Sequence, residues 1–122
     1  MASNQQERRE EARLMLLRFV SESPDASTRE IAAAIGVSNG SAYYLLKALI
    51  EKGFVKAYTF ANAKSKYFYV LTPEGSKQRL GLTERFLARK RMEYKVLRDE
   101  IQKMERELQS SNGVEGLQSE PL

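Results

Sequence analysis

A chain of 122 residues, 42% hydrophobic and 30% charged, has the make-up of one globular domain with a modest core and one appended element. It holds no cysteine and no histidine, which excludes disulfides, thiol nucleophiles, imidazole-dependent triads and Cys/His metal sites. The net charge of +4 is unevenly spread: residues 1–46 carry −1, residues 47–95 carry +8 and residues 96–122 carry −3.

A basic middle between near-neutral and acidic ends fits either a polyanion-binding surface or a solvated Lys/Arg face, and charge alone leaves both open. The acidic residues are scattered, so no catalytic residue, metal or cofactor is expected. No apolar run approaches the roughly eighteen residues of a membrane span, and no membrane partner is expected. The polar stretch Met1 to Glu11 lacks the apolar core of a secretory signal, and the expected location is cytoplasmic.

In chain order, residues 1–11 read as a flexible N-terminus. Residues 12–22 place Leu14, Met15, Leu16, Leu17, Phe19 and Val20 around most of a helix, which predicts burial on more than one side. Ser23-Pro24-Asp25 breaks the chain. Ser27-Thr28-Arg29-Glu30 fits a capping box for a short helix through Ile35, which Gly36 ends in the left-handed region. Val37 tucks into the core. Ser38 caps the next helix, Asn39 to Lys52, and Gly53 closes it. Two runs rich in aromatic and β-branched residues follow, Phe54–Phe60 and Lys66–Leu71, joined by the polar loop 61–65. Thr72-Pro73-Glu74 opens a long helix to about Gln109, with a kink or break possible at Gly81. Residues 110–122 read as a disordered tail.

This order predicts a mostly α fold with a small β-hairpin: a winged helix-turn-helix domain over 12–72, then a long C-terminal helix over 73–109. The second and third helices meet at Ile35-Gly36-Val37-Ser38, the short Gly-containing turn of a helix-turn-helix. On a wheel at about 100° per residue, Ala42, Leu45, Leu46 and Leu49 form one apolar stripe. The opposite face carries Gly40, Ser41, Tyr43, Tyr44 and Lys47, with no carboxylate before Glu51. Such a face suits a DNA major groove. Gly40 lets the backbone approach closely, Asn39 and Ser41 reach base edges, and the tyrosines touch thymine methyls or phosphate. Lys47 neutralises phosphate or reaches guanine. One tyrosine, Tyr43 by its angle, could instead pack on the first helix or the hairpin.

The hairpin supplies Lys56, Asn62, Lys64 and Lys66 and no acid from Phe54 to Leu71, so its tip can follow a backbone or enter a minor groove. Thr28 and Arg29, at the start of the second helix, join Ser38 and the residues above in the expected DNA-binding set. The aromatics Tyr58, Phe60, Tyr67, Phe68 and Tyr69 read as cross-strand pairs and core contacts rather than as a stacking platform for single strands.

In the long helix, Leu80, Thr83, Leu87, Lys90, Tyr94, Leu97, Ile101, Met104 and Leu108 alternate three and four apart and make a heptad seam, with Phe86 widening it. A second copy buries such a seam better than a small domain does, so a homodimer is expected. Its interface would hold Leu80, Phe86, Leu87, Tyr94, Leu97, Ile101, Met104 and Leu108. The stretch from Leu80 to Leu87 could pack on the first helix instead. Glu93 with Arg98 favours parallel helices and Glu100 with Glu105 opposes them, which leaves the direction open. A two-fold dimer would read a pseudo-palindrome. Arg89-Lys90-Arg91 reads as a solvated basic turn, with flanking phosphates as the other option.

Four stretches carry a family resemblance: Arg29-Glu30-Ile31-Ala32, Leu46 to Gly53, Leu71-Thr72-Pro73-Glu74-Gly75, and Arg85 to Tyr94. They resemble the MarR-type bacterial regulators, and within them the short subgroup associated with exopolysaccharide gene clusters. The first two are generic to winged helices; the last two are more specific. The resemblance implies a dimeric, sequence-specific double-stranded DNA-binding transcription regulator. Its third helix (Ser38, Asn39, Gly40, Ser41, Tyr43, Tyr44, Lys47) would lie in the major groove and its wing (Asn62, Lys64, Lys66) in the minor groove. Tyr43 stands where the subgroup commonly has Asn, and Ala61 where it has Arg, which implies a different target sequence and a weaker wing contact. No polar cluster stands out to anchor a small-molecule effector. The competing reading is a winged-helix protein-interaction module centred on Tyr43, Tyr44 and the hairpin; an enzyme is disfavoured for want of a paired nucleophile and base.

Overall fold

The computed structural model describes residues 2–115 and 120–121. The elements run α1 (Ala2–Glu22), α2 (Thr28–Ile35), α3 (Asn39–Glu51), β1 (Val55–Phe60), β2 (Ala63–Leu71) and α4 (Pro73–Glu115). Two compact units divide the chain, Met1–Phe86 and Leu87–Leu122. The first holds the three short helices, the hairpin and the start of α4. The second holds the rest of α4.

Local chemistry fixes the boundaries. The Ser27 hydroxyl accepts from the Glu30 amide at 3.1 Å and Glu30 Oε1 accepts from the Ser27 amide at 3.4 Å, closing the capping box. Gly36 ends α2 with φ of 73°, a backbone that costs other L-residues free energy. Ser38 caps α3 by accepting from the Ser41 amide at 3.1 Å. Thr72 ties three elements together. Its amide donates to the Phe54 carbonyl at 3.0 Å, its hydroxyl donates to the Gly53 carbonyl, and that same oxygen accepts from the Gly75 amide at 3.0 Å. The first turn of α4 thereby sits against the entry to β1, so closely that a Cβ on Gly75 would fall 1.9 Å from the Phe54 carbonyl oxygen.

The core of the first unit gathers Leu16, Leu17 and Val20 from α1, Ile31 from α2, Ala42 and Leu49 from α3, Val55 from β1 and Leu82 from α4. The apolar stripe of α3 is the one its spacing predicts: Ala42, Leu46 and Leu49 are buried and Leu45 packs beside them. Leu82 is a core residue that the heptad reading passes over. Phe86, one turn later, packs against the same core, whereas Leu80 is exposed. Over its first turns α4 therefore turns a Leu82/Phe86 stripe inward, and Phe86, expected at a dimer interface, is at least partly spent within its own unit.

Three boundaries differ from expectation. The flexible N-terminus expected over 1–11 lies within α1 from Ala2 onward. The hairpin loop expected over 61–65 shrinks to the two-residue turn Ala61-Asn62, because β2 begins at Ala63. The pairs Phe60↔Ala63 and Thr59↔Tyr67 leave residues 64–66 as a bulge on β2. An unbulged ladder would oppose Phe60 to Lys66; in the fold the Phe60 and Phe68 rings meet on one face, with centroids 5.1 Å apart. Finally, α4 runs unbroken through Gly81 and past Gln109 to Glu115. The rest of the expected tail, 116–119 and Leu122, lies outside the described residues.

Candidate nucleic-acid interface

The outward face of α3 is exposed throughout. Asn39, Gly40, Ser41 and Lys47 face solvent, and Tyr43 and Tyr44 are 53% and 71% exposed. The packing alternative for Tyr43 is not what the structure has: its ring meets Tyr44 edge-on, centroids 5.8 Å apart at 71°. Ser38 is committed to its cap and donates its hydroxyl proton to Ser41 Oγ at 2.9 Å, which leaves the Ser41 proton free to point outward. Gly40 has no positive φ, and a Cβ there would meet no atom within 4 Å. The fold itself does not require a glycine at that position. Glu51, at the far end of α3, is the first carboxylate on the helix.

The wing places Asn62, Lys64 and Lys66 in solvent, Asn62 in the tight turn and both lysines in the bulge. Lys56 is exposed on β1. At the start of α2, Arg29 is exposed and Thr28 half-buried. Thr28 and Lys66 come together as walls of one cleft of about 630 Å³, with Asp25, Ser27, Glu30 and Tyr67 also lining it. The amide of Tyr69 donates to the Pro24 carbonyl at 2.8 Å, pinning β2 to the turn before α2. That bond, with Val55, Tyr69 and Leu71 packed at the core, couples the wing to the helix-turn-helix.

The hairpin aromatics only partly follow expectation. Tyr69 does pack against the core. Tyr58 and Phe68, directly paired across the strands, stack at 5.3 Å. However, Tyr58, Phe60 and Tyr67 remain exposed, so they are ring contacts of a half-solvated sheet rather than core residues. Strand alternation puts Lys56, Tyr58, Phe68 and Val70 on the face away from the core. The alternation alone could have revealed this: Val55 and Leu71 must point inward, which sends their neighbours outward.

In the second unit, Leu87, Tyr94, Leu97, Ile101, Met104 and Leu108 are all exposed along α4. Lys90, within the seam, pairs with Glu93 at 3.2 Å. Among the described residues no group of three or more His, Cys, Asp or Glu could hold a metal ion, and no helix is long and apolar enough to cross a membrane.

The sequence matches the model of the IclR helix-turn-helix domain over residues 14–57. No curated protein matches it by sequence. Among solved structures it is similar to the PcaV transcriptional regulator from Streptomyces coelicolor, with a TM-score of 0.64, 17% identity, and coverage of 87% of this chain and 79% of that one. It is also similar to a MepR variant from Staphylococcus aureus bound to an oligodeoxyribonucleotide (TM-score 0.55, 19% identity, 84% and 76% covered). A MarR family transcription regulator is a third likeness (TM-score 0.59, 16% identity, 88% and 74% covered). At these identities the likeness is one of fold, and the chain has the winged helix-turn-helix fold of these proteins.

Proposed function

We propose that this protein is a sequence-specific regulator of transcription, of the MarR type, that binds double-stranded DNA as a homodimer in the cytoplasm. Residues 12–72 bind DNA and the helix over 73–109 dimerises. One observation carries the reading: the exposed face of α3 is free of carboxylates and includes a glycine that the fold does not need. A close-approaching duplex gives that glycine a purpose. The match to a helix-turn-helix model and the DNA-bound MepR variant support the same reading.

In this account the first turn of α3 enters the major groove. Asn39 and the free Ser41 proton meet base edges, Tyr43 selects among them, and Tyr44 and Lys47 hold phosphates. The amides at the start of α3 favour a nearby phosphate. Ser38 orients Ser41 rather than reading a base. Arg29 and Thr28 contact the backbone beside the groove, and Asn62, Lys64 and Lys66 follow the minor groove from the wing. The resemblance of Leu71 to Gly75 and of Arg85 to Tyr94 to the exopolysaccharide-associated subgroup supports exopolysaccharide genes as the regulated set.

Selection of bound fragments from random duplex DNA tests this. The parent should enrich a pseudo-palindromic site. Lys47→Ala should weaken binding to all sequences about tenfold, and Tyr43→Ala should change the preferred sequence. Enrichment of nothing by the parent, or of the same site with equal affinity by both variants, would overturn the placement of the reading face.

A further inference from the structure

We propose that the exposed seam of α4 pairs with the same seam of a second copy running in the opposite direction, with Leu97 against the partner's Ile101 and Tyr94 against the partner's Met104. This rests on the homodimer proposed above and adds its direction and register. The seam has two sets of positions, Leu87, Tyr94, Ile101 and Leu108, and Lys90, Leu97, Met104 and Ser111. Its six apolar members are between 43% and 67% exposed in the single chain. Water-exposed area of that kind on one helix face calls for a matching apolar face.

Charge decides the direction. Residues 87–98 hold five Lys/Arg against one Glu, net +4, and residues 99–111 hold four acids against two bases, net −2. Parallel helices in register would lay the basic half on the basic half and the acidic half on the acidic half. They would also press Lys90 against the partner's Lys90, beside Arg91, and Glu100 against the partner's Glu105. Glu93 with the partner's Arg98 is the one attraction that arrangement gains.

Antiparallel helices centred near residue 99 lay each basic half along an acidic half. Lys90 then falls beside the partner's Leu108 and within reach of the partner's Glu107. Arg91 meets the partner's Glu105. Lys90 already holds Glu93 at 3.2 Å, so it bridges Glu93 and the partner's Glu107, which would otherwise repel. Tyr94 on the partner's Met104 is a favourable sulfur–aromatic contact. The like pairs left over are Arg98 and Glu100, each near its own copy at the centre.

The chain has no cysteine, so single introduced thiols report direction without background. Full-length Lys90→Cys and Leu108→Cys chains are oxidised separately and after mixing, with light scattering on each. The antiparallel pair gives a disulfide-linked dimer only in the mixture, because each thiol lies far from its own copy. Linkage of either variant to itself would overturn the proposal, as would an unlinked mixture that is still dimeric. A second variant keeps the seam intact. Glu105→Arg should weaken dimerisation about fivefold, since it loses the partner's Arg91; tighter dimers would mean parallel helices, relieved of the Glu100 repulsion. A parent chain that is monomeric at micromolar concentration would instead remove the homodimer itself, and the two failures are therefore distinguishable.

Discussion

Gly40, Gly75 and Gly81 all sit in helices, and each lacks a side chain for a different reason. At Gly75 the Phe54 carbonyl occupies the space where a Cβ would go. Gly75→Ala should cost about 3 kcal/mol in urea unfolding, at the upper end for overpacking because the obstacle is backbone. At Gly81 nothing lies within 4 Å, and Gly81→Ala should raise stability by about 0.5–1 kcal/mol through helix propensity alone. At Gly40 the space is equally open. Gly40→Ala should leave stability unchanged or slightly raised, yet lower affinity for the selected duplex about tenfold. Unchanged DNA affinity in that variant would mean that the backbone there makes no close approach. The caps at Ser27 and Ser38 were legible in the sequence because they depend on residues three apart. Gly75 was not, because its obstacle comes from a carbonyl 21 positions earlier in the chain.

The hairpin and α4 show where periodicity succeeds and where it misleads. Lys64 and Ser65 are polar and read as part of the loop, with Lys66 opening the strand; in the fold residues 64–66 are a bulge that keeps pairing on both sides. Replacing Lys64 and Lys66 together by Ala should lower the salt dependence of DNA binding by about four counterions per dimer while leaving the thermal midpoint in place. A salt slope equal to the parent's would remove the wing from the contact surface. In α4 the spacing gives a single heptad phase over residues 80–108. Leu82 and Phe86 follow a second stripe set by the core, while Leu80, in the seam phase, stays exposed. Leu82→Ala should cost about 2–4 kcal/mol, measured by urea unfolding, because its side chain is fully enclosed. Leu97→Ala should instead shift the dimer equilibrium.

At the scale of the molecule, the sequence places its charges by task. The +8 of residues 47–95 covers the end of α3, the wing and the start of α4, and the −3 of residues 96–122 falls on the far part of α4. In the proposed account the basic region meets the DNA and the acidic one takes part in the pairing of helices. Topology and capping were legible because they repeat over short distances. The exposure of Tyr67, which alternates with the inward Tyr69, and the depth of Leu82 were less so, because they depend on which elements happen to face each other.

The salt dependence of binding tests the central claim most directly. Arg29, Lys47, Lys64 and Lys66 from each of two protomers neutralise eight phosphates in this account. A plot of log affinity for the selected duplex against log salt should then fall with a slope of about −7. A flat plot, with affinity held across the same range of salt, would contradict the account, because phosphate neutralisation would then not carry the binding.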